Sequence, residues 1–127
     1  MNSTEEYQFR LLPDEPGNAE KFDAFVAAHP KGHVLQSWNW GCVKQPAWEP
    51  LRLVAEDGAG QICGAALLLR RTLPAGLGQI FYSPRGPVVD IANEALWQQL
   101  VAEVRRLAKQ QGVIYWKVDP DVDIDAP

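Results

Sequence analysis

Several things are scarce or missing in this chain, and each absence closes off a class of function. No apolar run approaches the roughly 18 residues that a membrane-spanning helix needs, so no span is expected. Lysine and arginine form no run, and the formal net charge is -4, which argues against bulk electrostatic binding to a duplex and against DNA as a partner. Cysteine occurs only at Cys42 and Cys63, in apolar surroundings and with no partner at metal-ligand spacing. That predicts two buried thiols, no disulfide and a reducing compartment. The two histidines, His29 and His33, flank Pro30-Lys-Gly32 with no Ser or Cys at a legible spacing, so nucleophilic catalysis is not expected there. Asp121, Asp123 and Asp125 alternate as in the opening of a calcium loop, but the glycine and the distal glutamate are absent. No metal site is expected. The polar, acidic N-terminus does not read as a signal peptide.

What is present suits one soluble domain over residues 1–127, because 46% hydrophobic residues can fill a real core at this length. Tyr7 to Leu12 alternates weakly and predicts a strand, broken by Pro13-Asp-Glu-Pro-Gly17. Asn18 is the expected N-cap of a helix to Ala28, with Phe22, Phe25 and Val26 on one face. Ser37 is expected to cap a short helix that stops before Pro46, with Trp38 or Trp40 anchoring it and Gly41 packed close to a neighbour. Glu49 to Glu56 alternates like a half-buried strand, and Asp57-Gly-Ala-Gly60 is a hairpin turn. The uncharged run Ile62 to Leu69, ended by Arg70-Arg71, predicts a central strand covered on both faces. Asn93 is the expected cap of the longest helix, Glu94 to Gln110, which ends at Gly112. Val113 to Val118 is a last strand, terminated by Asp119-Pro120. The strand–helix–strand passage implies a parallel pair within a mixed sheet.

Between the longest helix and the strand before it lies Gly78-Gln-Ile-Phe-Tyr-Ser-Pro-Arg-Gly-Pro-Val-Val-Asp90. Pro84 and Pro87 remove two backbone donors, so the ladder must stop there. Arg85 between them is either a solvated turn arginine or a cation that pairs with a phosphate or carboxylate. Tyr82 belongs to the core or sheet edge, or contacts a ligand. Lys44, at the end of the short helix, is either a cation favoured by the helix dipole or an anion contact. Asp119 is either a turn-forming residue before proline or a chemical group at a strand end.

The element order strand, helix, helix, three strands, helix, strand resembles the first part of the GNAT-type acyltransferase fold. That fold class is α+β or α/β, with a mixed sheet of about five strands and three helices. Four motifs narrow the resemblance: Gln36-Ser-Trp-Asn-Trp-Gly-Cys-Val-Lys44, Trp48-Glu49, Tyr82-Ser-Pro-Arg-Gly-Pro-Val-Val-Asp90 and Lys117-Val-Asp-Pro120. Together they resemble the Fem family of peptidoglycan-bridge aminoacyltransferases, over roughly Phe22 to Pro120. The resemblance implies the first of two GNAT-like domains, stopping before its last strands. It implies an acceptor-binding part of an enzyme that moves an amino acid from aminoacyl-tRNA to the stem peptide of a peptidoglycan precursor, UDP-linked or lipid-linked. On this resemblance Lys44 contacts the acceptor's diphosphate, and Asp119 is the catalytic carboxylate near the reacting amine. The family often carries an aromatic residue where Ile114 stands, while Tyr115 would lie on the opposite face of a regular strand. No cofactor is implied. The expected partners are the precursor, aminoacyl-tRNA through a second domain absent from this sequence, and a second copy through an exposed sheet edge. The expected location is the cytoplasm, at or near the inner face of the membrane. This part by itself is expected to be inactive. Two alternatives remain open: an acetyl-CoA-dependent N-acetyltransferase, or a non-catalytic binding module. The first needs free amides in the form Gln/Arg-x-x-Gly-x-Gly/Ala entering the helix, where this chain has Pro84-Arg-Gly-Pro87.

Overall fold

The computed structural model describes residues 6–30, 32–84, 86–90 and 92–119, with Asp119 through its backbone alone. Arg85 and the tail with Asp121, Asp123 and Asp125 lie outside the described residues. The elements are β1 (Gln8–Leu11), α1 (Asn18–Ala28), α2 (Trp38–Lys44), β2 (Glu49–Glu56), β3 (Ile62–Thr72), β4 (Gln79–Pro84), α3 (Glu94–Gln111) and β5 (Val113–Asp119). They form one sheet in the order β1-β2-β3-β4-β5. The first three pairings are antiparallel, and β4 runs parallel to β5.

The local signals act where the sequence puts them. Ser37 Oγ accepts from the Trp40 amide at 3.1 Å and starts α2. Asn93 Oδ1 accepts from the Leu96 amide at 3.2 Å and starts α3. Gly112 takes φ 72°, the left-handed conformation that ends a helix cheaply only at glycine. Asp57 Oδ1 accepts from the amides of Ala59 and Gln61 and shapes the β2–β3 turn. The start of α1 differs from expectation. Gly17, at φ 88°, precedes the helix with no side-chain cap. Asn18 lies inside it and donates from Nδ2 to the Pro13 carbonyl at 2.9 Å, so its amide ties down the loop instead.

The sheet carries a core on each face. On one face Leu96, Leu100, Val104 and Leu107 of α3 pack on Leu53, Ala55, Ala66, Leu68 and Phe81. On the other, Phe22 and Val26 of α1 and Trp38 of α2 pack on Val54, Ala65, Leu67 and Leu69. β3 is therefore central and covered twice, as its apolar run requires. It continues through Arg70 and Arg71 to Thr72, beyond the expected end, because each arginine still pairs with β4. β2 is more buried than a half-buried strand: Arg52 and Val54 are covered as well as Leu53 and Ala55, since α2 sits on its outer face. The cysteines also depart from expectation. Cys42 is exposed, because α2 buries Trp38 and Gly41 and not Cys42, and Cys63, near the start of β3, is only partly covered. Gly41 does pack closely: a Cβ there would meet Pro50 Cβ at 2.8 Å and Arg52 Nη2 at 2.9 Å.

β3 and β4 part company at the proline corner, and one side chain fills the gap. Gln36, in a 3-10 turn at Val34–Gln36, is fully buried. Its Oε1 accepts from the Leu67 amide at 2.9 Å, and its Nε2 donates to the Pro84 carbonyl at 2.9 Å. The carboxamide thus stands where a strand peptide would otherwise join the two. Beyond it the chain returns to β3, where Val88 and Ala65 exchange both backbone hydrogen bonds. Ser83 Oγ donates to the Leu67 carbonyl at 2.9 Å and accepts from Trp116 Nε1 at 3.1 Å, which carries the network to β5. Gly86 packs so tightly over this amide that a Cβ there would fall 2.2 Å from Gln36 Cδ.

Gln36→Leu should destabilise the chain by about 2–4 kcal/mol, since it leaves a buried amide and a buried carbonyl unpaired. Gly86→Ala should cost about 1–3 kcal/mol by displacing the same side chain. Because both act on one group, the double variant Gln36→Ala/Gly86→Ala should lose less than the sum of its singles in urea titrations. Strict additivity would show that Gly86 does not press on Gln36.

Candidate functional site

The face of the sheet that carries α1 and α2 also carries a strip of cations and aromatic rings. It begins at Lys44, in the last turn of α2, whose Nζ lies 5.7 Å from the centre of the Trp40 ring. The Trp48 amide donates to the Lys44 carbonyl at 3.0 Å, so the chain makes one further turn and sets Trp48 beside α2. The rings of Trp48 and Tyr82 lie 6.1 Å apart at an interplanar angle of 51°. The Arg71 guanidinium stands 5.5 Å from the Trp48 ring, and Lys117 Nζ stands 5.3 Å from the Tyr82 ring. Strand alternation explains the gathering. Ala65, Leu67 and Leu69 face this side of β3, so Arg71 does too. Tyr82 faces it from β4, and Lys117 is its register partner on β5. One step further along, Asp119 is the register partner of Pro84.

The charges on this strip differ from those elsewhere. Arg70, on the opposite face, pairs with Glu49 and donates to Gln111 Oε1 at 2.6 Å. Arg10 pairs with Glu56 and Arg106 with Glu103, and the hydrogen-bonded carboxylate in each case holds the guanidinium above its ordinary pKa. Among the described residues no carboxylate pairs with Lys44, Arg71 or Lys117. A row of cations with no carboxylate partner among the described residues, each set against a ring, is suited to meeting an anionic ligand.

Of the residues singled out by sequence, Lys44, Tyr82 and the backbone of Asp119 thus border one strip, while Arg85 lies outside the described residues. Tyr82 is half-buried against the core, on a strand flanked on both sides, with Lys117 over its ring. Ile114 and Tyr115 do not follow a regular strand. The β4–β5 register skips Ile114 between Gln79↔Val113 and Ile80↔Tyr115, and both side chains are exposed, at 67% and 59%. Sequence reasoning missed Arg71, Trp48 and Lys117 as members of the site. Alternation from Leu69 and from Asp119 would have found the two cations, but nothing local distinguishes Trp48 from a core tryptophan. His33 is not part of the strip: its Nδ1 accepts from the Leu35 amide at 3.1 Å and caps a turn. A cleft of about 310 Å³ beside it includes Asp23, but that carboxylate is taken by the Trp38 amide at 2.7 Å. Among the described residues no group of His, Cys, Asp and Glu could hold a metal, and no helix is long and apolar enough to cross a membrane.

Arg71→Ala and Lys117→Ala should each change folding stability by less than about 1 kcal/mol, because an exposed cation over a ring contributes little. A thermal melt displaced by more than about 8 °C would mean that these cations hold the fold together.

The model of the family described as FemAB family matches residues 18–126. The lipid II:glycine glycyltransferase of Staphylococcus haemolyticus (strain JCSC1435) is 37% identical over 108 residues, covering 84% of this chain and 25% of that protein. That of Staphylococcus aureus (strain bovine RF122 / ET3-1) is 34% identical over 106 residues, with the same two shares, 84% and 25%. The chain therefore spans about a quarter of the length of the curated relatives it matches. A crystal structure of FemX superposes with a TM-score of 0.81 at 29% identity, over 93% of this chain and 28% of that one. An acetyltransferase from Trypanosoma brucei superposes with a TM-score of 0.60 at 16% identity over 91% of this chain and 84% of that one, a likeness of fold alone. The architecture is thus a partial GNAT-like fold, and by sequence the chain belongs to the FemAB family.

Proposed function

We propose that this chain is the acceptor-binding part of a non-ribosomal peptidyltransferase, corresponding to a truncated first GNAT-like domain. That enzyme moves an amino acid from aminoacyl-tRNA to the stem peptide of a peptidoglycan precursor, in the cytoplasm or at the inner face of the membrane. The names of the relatives support a lipid II acceptor, and the strip supplies the observation that carries the reading. Three cations without carboxylate partners among the described residues, Lys44, Arg71 and Lys117, run from the end of α2 to the register position of Asp119. In this reading Lys44 binds the diphosphate as a point charge. Asp119 orients the acceptor's ammonium and assists removal of its proton, which frees the amine that attacks. Tyr82 supports the bound stem, and Arg85, on the proline corner, contacts a further anionic group of it. Attack by an amine on an aminoacyl ester needs positioning and charge stabilisation more than covalent help from the protein. The tRNA and the rest of the cleft belong to a second domain of the parent enzyme.

Coenzyme A chemistry fits the corner poorly. Pro87 has no amide to offer, the Val88 amide donates to Ala65, and the Ala92 amide donates to Asp90 Oδ1 at 3.0 Å. Those donors would be needed to cradle a pyrophosphate.

Calorimetric or NMR titration with UDP-linked muropeptide tests the proposal. Lys44→Ala should weaken binding about tenfold, the loss of one charge-assisted contact. Unchanged affinity removes Lys44 from the site. The chain alone should show no transfer from aminoacyl-tRNA, and steady turnover by it would contradict the assignment to one part of a larger enzyme. Among the described residues β5 has one strand neighbour and exposes Ile114, Tyr115 and Val118, so its edge is a seat for a homodimer. Sedimentation equilibrium checks this, and a monomer at every concentration excludes it.

A further inference from the structure

Arg71 and Lys117 sit on strands that are not neighbours. β4 lies between them, and Arg71 is the partner of Ile80 while Lys117 is the partner of Tyr82. Two strand spacings of about 4.8 Å and a two-residue offset of about 6.6 Å place their Cα atoms about 11–12 Å apart. The two heads are therefore suited to two separate anionic groups on one extended ligand. Both side chains are exposed, and the rings of Trp48 and Tyr82 hold their heads in place. That arrangement lowers the rotamer entropy each long side chain loses on pairing.

The rings also argue against one kind of ligand. Trp48 is engaged by Arg71 and by Tyr82, and Tyr82 by Trp48 and by Lys117. The ring faces turned toward the cations are occupied, so bases cannot stack there in the way single-stranded nucleic acids require. The planar fork of Arg71 matches a carboxylate through two parallel hydrogen bonds, and Lys117 meets a second one as a point charge.

We infer that Arg71 and Lys117, held by Trp48 and Tyr82, form a paired carboxylate subsite that selects an acidic peptide with free carboxylates over the same peptide amidated. This rests on the acceptor-binding reading above and adds a specificity that reading does not contain. The subsite acts on binding only, and no bond is made or broken there.

The test uses three probes on this chain by NMR titration: a pentapeptide with two free carboxylates, the same peptide with both amidated, and UDP. The wild type should bind the free peptide about tenfold more tightly than the amidated one. Arg71→Ala/Lys117→Ala should bind the two peptides equally and keep its affinity for UDP. Arg71→Lys, which keeps the charge and loses the fork, should retain part of the preference. Equal binding of both peptides by the wild type overturns the inference. So does a preference that survives in the double variant, or no binding of the free peptide at its highest soluble concentration. A single-stranded oligonucleotide that displaces the acidic peptide at lower concentration overturns it as well. Lys44→Ala separates the two readings. It should weaken UDP alone; if UDP binding is unchanged while the carboxylate preference persists, the diphosphate role of Lys44 fails and the subsite stands.

Discussion

The buried carboxamide of Gln36 is the contact on which the site depends. β4 must leave β3 at Pro84, because proline has no amide to continue the ladder. A strand that simply departed would strand a buried amide on Leu67 and a buried carbonyl on Pro84. Gln36 satisfies both from a turn that precedes α2, and so ties the start of α2 to the end of β4. The two elements that carry Lys44 and Tyr82 are thereby locked to each other through one residue. Gly86 belongs to the same device, since only a residue without a side chain lets the corner close over the amide.

This lock explains why the strip is an orderly surface and not a scatter of charges. α2 is only seven residues long, too short to be stable on its own. It is held by Trp38 in the core, by the close approach of Gly41 to β2, and by Arg52. The Arg52 guanidinium donates to the Trp38 carbonyl at 3.0 Å and stacks 4.0 Å from the Trp38 ring. Arg52 is a buried cation whose counter-groups are a helix-end carbonyl and an aromatic face. With α2 fixed, Trp48 lands next to Tyr82, and the cations of three elements face one side. The sheet supplies the spacing and the rings supply the stiffness.

Much of this was legible one residue at a time. Ser37, Asn93, Asp57 and Gly112 act locally, so their capping and turn roles follow from the residues beside them. The expectation for Asn18 went wrong because Gly17 and the Pro13 carbonyl competed for the same few atoms, a contest that residue type alone does not settle. The cysteines were misplaced for a related reason. Apolar neighbours in sequence do not mean apolar surroundings, because α2 buries only one side, with Trp38 and Gly41, and Cys63 lies near the start of β3, where the strand is only partly covered. Arg71 was taken as the end of a strand because it followed an apolar run, although its register with β4 continues for another residue.

By itself the sequence determined the element order, the two-sided burial of β3, the parallel last pair and the family. Those properties rest on periodicity, on capping and on motifs read along the chain. Only the tertiary structure decided that Gln36 is a structural amide and not a surface polar residue. Only it brought Trp48, Arg71 and Lys117 together with Lys44 and Tyr82. Their proximity is set by strand register and by a single buried side chain, and contacts between residues 23 (Trp48 and Arg71) to 48 (Gln36 and Pro84) positions apart leave no local pattern to read.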